Sequence, residues 1–213
     1  MTTEKTFPEP VPENAKAVFG EALPLAQKYV DLLVRDGDLL GLVGPKELPK
    51  IWSRHILNSA VVADLLEAGS RVADVGSGAG LPGIPMAIKM PTSSFTLIEP
   101  MERRAKWLAE VVVPTLGLNN VQVLRMRAQD APKGEFDVVT ARAVAALPKL
   151  IQMLAPLCHK GGTILALKGS KAAEEIEDSK PLVKKFGLNS FEIVTVGQNI
   201  LTEPTTVVKI GLL

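Results

Sequence analysis

The chain has 213 residues, a net charge of +1 and 46% hydrophobic residues, which suits one α/β domain with an extension or two small units. This charge excludes a polybasic nucleic-acid binder, so any nucleic-acid face has to be local. A single cysteine, Cys158, excludes an intrachain disulfide, and with only His55 and His159 far apart in sequence no metal site is expected. A start unlike a signal peptide and the lack of an apolar run of about 18 residues predict a cytoplasmic protein without a membrane span.

The N-terminal third of the chain predicts a tail followed by helices. Residues 1–12 contain three prolines and few apolar side chains, which indicates a flexible tail. Residues 13–35 carry apolar side chains at roughly helical spacing, and Pro24 is expected to divide them into two helices. A loop rich in glycine and proline then precedes a helix predicted over residues 51–68. We therefore expect an N-terminal helical extension over residues 13–69.

After this extension the pattern changes to strands that alternate with helices. Five strands of the parallel type are predicted, followed by two strands that only a turn separates and that should pair antiparallel. The seven predicted strands are residues 71–75, 95–99, 121–125, 136–141, 163–168, 191–196 and 205–210. The helices predicted between them cover residues 84–90, 101–116, 147–158 and 172–186. This alternation predicts an α/β domain over residues 70–213 with a doubly wound, mostly parallel seven-stranded sheet.

A glycine-rich turn follows the first predicted strand. It reads Asp74-Val75-Gly76-Ser77-Gly78-Ala79-Gly80-Leu81-Pro82-Gly83. Glycine has no Cβ and tolerates positive φ, so such a backbone lets a ligand approach closely. Two ligand classes suit a strand-to-helix turn of this kind, a dinucleotide and S-adenosylmethionine. A tight turn without any ligand is the third interpretation.

The residues around the glycines favour S-adenosylmethionine, although the glycines also satisfy the dinucleotide spacing G-x-G-x-x-G. Asp74 ends the strand, where a carboxylate would repel a pyrophosphate and attract the cationic amino acid part of S-adenosylmethionine. Pro82 lacks an N–H where the next helix begins, which weakens that helix end as an anion site. Glu99 at the end of the second strand suits both ligands, because a carboxylate can accept hydrogen bonds from two ribose hydroxyls.

The sequence offers no group that would activate a methyl acceptor. The fourth strand is followed by Thr140-Ala141-Arg142-Ala143-Val144, which lacks the Pro-Pro-aromatic motif of amine methylases, and no Pro-Cys pair is present for C5 methylation. Guanine N7 needs no base, because it has a free lone pair and no proton to lose, so that alignment with the methyl group and removal of water suffice. N7 can be reached only in an unstacked or loop nucleotide of RNA.

Four segments of the chain are distinctive in their combination and order. They are Arg54-His55-Ile56-Leu57-Asn58-Ser59, the glycine loop continued to Pro85, Ala141-Arg142-Ala143-Val144-Ala145, and Ala166-Leu167-Lys168-Gly169. Together they resemble the RsmG (GidB) family of bacterial small-subunit ribosomal RNA guanine-N7 methyltransferases. The resemblance covers about residues 15–211. It implies a Rossmann-like class I S-adenosylmethionine-dependent methyltransferase fold, and methylation of guanine N7 in the decoding-region loop of 16S rRNA.

The resemblance also implies which residues hold the cofactor. Glu99 would bind the ribose, Ala128 and Gln129 would meet the adenine, and Arg142 would act as a positioning residue near the methionine part and the acceptor, with no general base. Gln129 stands where the family commonly has Glu, and its amide can still hydrogen-bond adenine. The complete expected cofactor set is Asp74, Gly76, Ser77, Gly78, Gly80, Leu81, Glu99, Ala128, Gln129 and Arg142.

RNA binding is expected to use local basic side chains at the ligand-binding edge of the sheet. The candidates are Arg54, His55, Arg103, Arg104 and Lys168, although Arg103 or Arg104 could instead pair with Glu102 or Glu110. Few phosphate contacts predict weak, salt-sensitive binding to naked RNA, so we expect a monomer that acts on 16S rRNA within the small subunit or its precursor. Two alternatives stay open at this stage: an NAD(P)-dependent oxidoreductase, and a non-catalytic RNA-binding module on a methyltransferase fold.

Overall fold

A computed structural model describes residues 7–213, so that the first half of the expected tail lies outside the described residues. The described part of this segment contacts the helical extension through Glu9. Its carboxylate accepts hydrogen bonds from the N–H groups of Trp52 and Ser53, both at 2.9 Å, and its own N–H donates to the Leu48 carbonyl at 2.8 Å. Glu9 therefore fastens the segment before the extension to the start of a later helix.

Short helices build the N-terminal extension. They are α1 (Ala15–Phe19), a 3-10 turn (Gly20–Ala22), α2 (Leu23–Asp36), a second 3-10 turn (Pro45–Lys50), a π-helical turn (Ile51–Ile56), α3 (Leu57–Ala60) and a last 3-10 turn (Val61–Leu65). Pro24 lies in the first turn of α2, where its missing N–H costs no hydrogen bond, so the predicted division into two helices is confirmed. The helix predicted over residues 51–68 is wrong at its end, because the chain turns extended at Leu66.

The central sheet has seven strands, of which the first five run parallel. The strands are β1 (Arg71–Val75), β2 (Ser94–Ile98), β3 (Val121–Leu124), β4 (Phe136–Arg142), β5 (Cys158–Lys168), β6 (Leu188–Val196) and β7 (Thr205–Leu212). Their order across the sheet is β3-β2-β1-β4-β5-β7-β6, and β7 pairs antiparallel with both β5 and β6. The predicted parallel sheet with an antiparallel ending is confirmed, and the order reverses between β1 and β4, where ligands bind in such sheets.

Helices cover both faces of this sheet. They are α4 (Gly83–Lys89), α5 (Glu102–Lys106), a π-helical stretch (Trp107–Val112), α6 (Val113–Leu116), α7 (Leu147–Leu154), α8 (Ala172–Ser179) and α9 (Val183–Phe186). The helix predicted over residues 101–116 continues past Pro114, with the π-helical stretch directly before it, where wider turns accommodate a missing N–H.

Two of the predicted helices differ from the structure because of prolines. The helix predicted over residues 147–158 ends at Leu154, and Cys158 already belongs to β5, where it pairs with Phe136. Pro156 cannot donate a helical hydrogen bond, which favours the 3-10 turn seen there. The helix predicted over residues 172–186 is likewise interrupted by the 3-10 turn Lys180–Leu182, which contains a proline.

The hydrophobic core has one layer on each face of the sheet. Tyr29, Trp52 and Ile56 of the extension are fully buried in the same layer as Val72 and Leu97 of the sheet. Alternating strand residues point to the opposite layer, which α7 covers. The extension is therefore packed directly against the strands that carry the glycine loop. Within residues 7–213, no helix combines the length and the apolar composition that crossing a membrane requires.

Candidate active site

The glycine loop connects β1 to α4 at the carboxyl edge of the sheet. Gly76 and Gly78 have φ values of +72° and +57°, in a backbone region that residues other than glycine rarely adopt. A Cβ on Gly76 would lie 2.9 Å from Cγ2 of Val144, whereas a Cβ on Gly78 would meet only the Gly76 carbonyl oxygen, at an ordinary contact distance of 3.8 Å. Gly76 therefore permits close packing of the loop on the segment after β4, and the surroundings of Gly78 are free of crowding side chains.

Asp74 lies beneath this loop and is fully buried. Its Oδ2 accepts a hydrogen bond from the Gly83 N–H at 3.0 Å, and its Oδ1 has no partner among the residues that the structure describes. Burial raises the pKa of the Asp74 carboxyl from its usual value of about 4 to about 7, while the Gly83 N–H opposes this shift. Ser77 is also buried, and its Oγ donates to the backbone carbonyl of Asp74 at 2.9 Å. Both side chains thus shape the loop from below.

Glu99 connects the loop to the end of β2. It is only 3% exposed, and its two carboxylate oxygens accept hydrogen bonds from the N–H groups of Gly78 and Met101, both at 2.8 Å. The sequence predicted that this carboxylate would bind two ribose hydroxyls. Each oxygen keeps a second lone pair for such a contact, but the contacts that the structure records are those that fix the loop.

A first cleft, which we call the loop cleft, opens beside Gly76. Its volume is about 610 Å³, within the usual range for small-molecule sites. Its lining includes Gly76, Ile98, Ala128, Gln129 and Val144. Of the expected adenine partners, the backbone turn at Ala128 is buried and Gln129 is exposed beside it. The predicted Gly80 and Leu81 are buried in the core below the loop instead.

A second cleft, the basic cleft, lies on the other side of the segment after β4. Its volume is about 730 Å³, and it brings together residues from three of the four segments that resemble the RsmG family. Its lining includes Glu47, Arg54, His55, Arg142, Leu167 and Lys168. The sequence predicted Arg54, His55 and Lys168 as RNA-binding residues and Arg142 as the positioning residue, and the fold gathers all four around one opening.

Three side chains in the basic cleft form a hydrogen-bonded chain. Arg142 Nη2 lies 2.7 Å from His55 Nδ1, and His55 Nε2 lies 2.8 Å from Glu47 Oε2. Because a guanidinium only donates, Nδ1 must accept and Nε2 must carry the proton that is donated to Glu47. Burial, and then the nearby Arg142, lower the pKa of His55, which agrees with a neutral imidazole in this tautomer. Burial also lowers the pKa of Arg142.

The segment Ala143–Val144 separates the two clefts. Ala143 has a φ of +55°, a left-handed conformation that costs roughly 1–2 kcal/mol for a residue with a Cβ. Lys168 holds this segment, because its Nζ donates to the Ala145 carbonyl and to Glu175 Oε2, both at 2.7 Å. The Lys168 side chain is only 9% exposed. The geometry therefore gives Lys168 a structural contact, and an RNA contact would require breaking a largely buried ion pair.

The other expected RNA-binding residues differ in how freely they face solvent. Arg54 is largely exposed and lies 3.8 Å from Glu47. Arg103 is exposed, and the described part of the chain offers it no ion pair. Arg104 is half-buried and donates to the Gly41 carbonyl at 2.9 Å. The pairing suggested between Glu102 and one of these arginines is not seen, because Glu102 binds two other basic side chains, Lys106 and Arg125, both at 3.0 Å.

Sequence reasoning missed three side chains that organise the site. The hydroxyl of Tyr29 on α2 donates to the Ala79 carbonyl of the loop at 2.6 Å, in a fully buried contact. Glu47 and Glu175 hold His55 and Lys168 as described above. The one available signal was that Tyr29 is the single tyrosine of the chain. The two glutamates stand in polar segments without any distinctive pattern.

Comparison with known protein families identifies the family of this chain. The family model GidB, described as rRNA small subunit methyltransferase G, matches residues 22–203. The chain belongs to this family. The resemblance seen in the sequence is thereby confirmed, and family membership favours neither an oxidoreductase nor a non-catalytic module.

Relatives in the GidB family are similar over nearly the whole chain. The Ribosomal RNA small subunit methyltransferase G of Renibacterium salmoninarum is 51% identical over 204 residues, which cover 95% of this chain and 94% of the relative. The protein of the same name from Pseudarthrobacter chlorophenolicus is 52% identical over 197 residues, which cover 92% of this chain and 91% of the relative.

Solved structures show the same fold at lower identity. M. jannaschii TYW2 in complex with AdoMet has a TM-score of 0.58 and 21% identity, with 73% of this chain and 74% of that chain covered. A tRNA methyltransferase from Aquifex aeolicus has a TM-score of 0.55 and 16% identity, with 73% of this chain and 68% of that chain covered. The predicted class I methyltransferase fold is confirmed.

Proposed function

We propose that this protein transfers a methyl group from S-adenosylmethionine to N7 of a guanine in the decoding-region loop of 16S rRNA. Membership of the GidB family supports ribosomal RNA methylation with this methyl donor. The observation that carries the finer assignment is the junction at Ala143–Val144, where a cleft beside a glycine loop meets a cleft rich in basic side chains. A donor on one side and an RNA nucleotide on the other would meet at this junction.

The loop cleft fits S-adenosylmethionine by its geometry. Gly76 lines this cleft beside the loop, and Ala128 with Ile98 gives an apolar wall that suits an adenine ring. In the bound state the cofactor supplies an electrophilic methyl group on a sulfonium. The residues we assign to binding it are those around the loop, with Gly76 and Gly78 forming the backbone cradle. Asp74 would act from below, as a buried carboxyl that fixes the start of α4.

The basic cleft supports an acceptor that needs no general base. Its titratable side chains within the described chain are Glu47, Arg54, His55, Arg142 and Lys168. Glu47 and the Nδ1 of His55 are both engaged in hydrogen bonds, so neither is free to remove a proton. Guanine N7 has no proton to lose. The task of these residues is then to orient the base and to exclude water.

The expected substrate is the small ribosomal subunit or its precursor, and the enzyme is expected to act as a monomer. Few of the predicted RNA-binding residues are free cations, since Lys168 is paired and Arg104 is half-buried. Electrostatic attraction alone would then bind naked RNA weakly, so that the shape of the particle has to contribute to recognition. A substrate of this kind also implies a cytoplasmic enzyme.

The proposal is tested with small subunits from cells that lack the gene. Purified protein and labelled S-adenosylmethionine are added, and mass mapping of the 16S rRNA locates the methylated nucleotide. We expect one N7-methylguanosine in the decoding-region loop, and at least about tenfold slower methylation of a free loop oligonucleotide. Methylation of another atom would refute the N7 assignment, and equal rates on both substrates would refute recognition of the particle.

A further inference from the structure

The position of Arg142 raises a specific chemical question, which rests on the function proposed above. A guanidinium has five N–H donors, and two of those on Arg142 are given to His55 Nδ1 and to the Arg54 carbonyl, at 2.7 Å and 3.4 Å. The edge of guanine presents two neighbouring acceptors, O6 and N7, and an arginine readily binds both at once. A bidentate contact would occupy the N7 lone pair that has to attack the methyl carbon.

A productive contact therefore has to restrict Arg142 to O6. Such a restriction requires that the guanidinium cannot rotate freely into the bidentate arrangement. The structure supplies this restraint through His55, whose Nδ1 holds Nη2 on the side of the cleft formed by the extension. The imidazole is in turn held by Glu47, which accepts the Nε2–H at 2.8 Å. Without that acceptor the ring could flip and turn a carbon toward Arg142.

We infer that Glu47 is a positioning residue for methyl transfer, which acts through His55 to keep the Arg142 guanidinium from covering N7 of the acceptor guanine. Glu47 does not touch the reacting atoms. It lies in the 3-10 turn Pro45–Lys50, a part of the extension without any motif of its own. Its nearest other charged partner is the exposed Arg54 at 3.8 Å, a distance and exposure at which an ion pair contributes little.

The test compares Glu47→Ala with Glu47→Gln in methylation of small subunits. The alanine variant leaves Nε2 without an acceptor, and we expect kcat to fall about ten- to a hundredfold while KM stays unchanged or decreases, because a mobile Arg142 still binds guanine. The glutamine variant keeps an oxygen for the Nε2–H, and we expect kcat within about threefold of the wild-type value. Glu21→Gln, which removes the same charge from an exposed site in the same extension, serves as the control and should change neither constant.

A second measurement tests the contact in the protein alone. The chain has only two histidines, so the imidazole signals of His55 are assigned by comparison with His159→Gln. The Glu47 carboxylate raises the pKa of His55 against the larger effects of burial and Arg142, so Glu47→Gln should shift the NMR titration of His55 to lower pH. The groups that face this imidazole are Glu47, Arg54 and Arg142.

The outcomes separate this inference from the proposed function. An inactive wild-type protein refutes the proposed function, while the NMR titration still reports whether Glu47 holds His55. If the wild type is active, an unchanged kcat in Glu47→Ala refutes the inference, and so does an equal loss in the alanine and glutamine variants. A rise in KM with unchanged kcat also refutes it, since Glu47 would then serve binding alone.

Discussion

The backbone conformation of Gly78 matters both for the stability of the fold and for the proposed cofactor site. Its N–H donates to Glu99, and its φ of +57° is a strained value for any other residue. A Cβ at this position would meet only the Gly76 carbonyl oxygen, at 3.8 Å, and a larger side chain would extend into space that we assign to the cofactor. A substitution here therefore has two separable effects, a conformational cost and a steric block.

We predict that Gly78→Val lowers the affinity for S-adenosylmethionine by roughly a hundredfold or more, which corresponds to about 2.7 kcal/mol. Gly117→Val is the matched control, because Gly117 has a φ of +64°, uncrowded surroundings and a position at the end of α6. Both variants should lose a similar free energy of unfolding, at least about 1–2 kcal/mol. Calorimetric titration measures the affinity, and equal affinities in the two variants would contradict the assignment of the loop.

The buried carboxyl of Asp74 predicts a particular pH dependence of stability. Its folded-state pKa of about 7 lies above the ordinary value of about 4, so between these values the folded protein retains a proton that the unfolded chain has released. The protonated carboxyl therefore makes its full contribution to the free energy of unfolding below about pH 4, and this contribution declines as the pH rises to about 7. Ionising this buried group thus destabilises the fold at neutral pH.

We predict that Asp74→Asn removes this decline, because the amide oxygen still accepts the Gly83 N–H but does not titrate. Relative to the wild type, the variant should gain a few kcal/mol of unfolding free energy between about pH 4 and pH 7. Urea unfolding at several pH values provides the measurement. For the control Asp31→Asn, at an exposed site on α2, the unfolding free energy should change with pH in parallel with that of the wild type. Parallel curves for Asp74→Asn as well would disprove a raised pKa.

At the scale of elements, helix α2 of the extension supports the glycine loop through a buried contact. The Tyr29 hydroxyl reaches the Ala79 carbonyl in a fully buried hydrogen bond. Further along the same helix, Asp36 accepts a hydrogen bond from the Trp107 indole N–H at 2.7 Å, away from the loop. Among its contacts with the methyltransferase domain, helix α2 thus has one that reaches the loop and another that lies away from it.

We predict that Tyr29→Phe lowers the unfolding free energy by about 1–3 kcal/mol, because a buried carbonyl loses its partner. It should also weaken S-adenosylmethionine binding several-fold, since the loop is less well held. Trp107→Phe removes one hydrogen bond from the same helix and should lower stability without a change in affinity. Paired denaturation and calorimetry distinguish the two, and an unchanged affinity in Tyr29→Phe would show that α2 does not order the loop.

The elements that the sequence predicted well are those fixed by local patterns. β1 has the predicted bounds, because an apolar run between a charged residue and a glycine turn defines both of its ends. Two errors fall at residues 155–158 and 180–182, where a proline changes the local hydrogen bonding, and another falls at residues 66–68, where the chain becomes extended. The direction and pairing of the last two strands followed from the short turn between them.

The candidate site was predictable only where motifs supplied it. The loop and Arg142 come from recognisable segments, and the fold brings them together. The roles of Asp74 and Lys168 were not predictable, because whether a charged side chain faces a cleft or a buried partner depends on tertiary packing. The contact between Arg142 and His55 spans 87 positions in sequence, and no local pattern encodes it.

At the scale of the whole molecule, a net charge of +1 gives little long-range attraction to RNA. Of the five predicted RNA-binding residues, Arg54 and Arg103 are the exposed ones. Three further exposed cations, Arg127, Lys133 and Lys149, line the loop cleft, which we assign to the cofactor. The salt dependence of the binding affinity reports the number of contacts between cations and phosphates, because each phosphate that is neutralised releases counterions from the RNA. The number of contacts expected here is about two or three.

We therefore predict a shallow salt dependence for binding to small subunits, with a log–log slope of about −2 to −3 between about 50 and 200 mM salt. Arg103→Ala should make this slope about one unit less steep, because one phosphate contact is lost. Lys160→Ala removes an exposed cation near the start of β5, at the opposite edge of the sheet, and should leave the slope unchanged. Filter binding with S-adenosylmethionine present measures the slopes. A much steeper wild-type slope, or identical slopes in the two variants, would mean that the RNA lies on a different face from the one that carries the clefts.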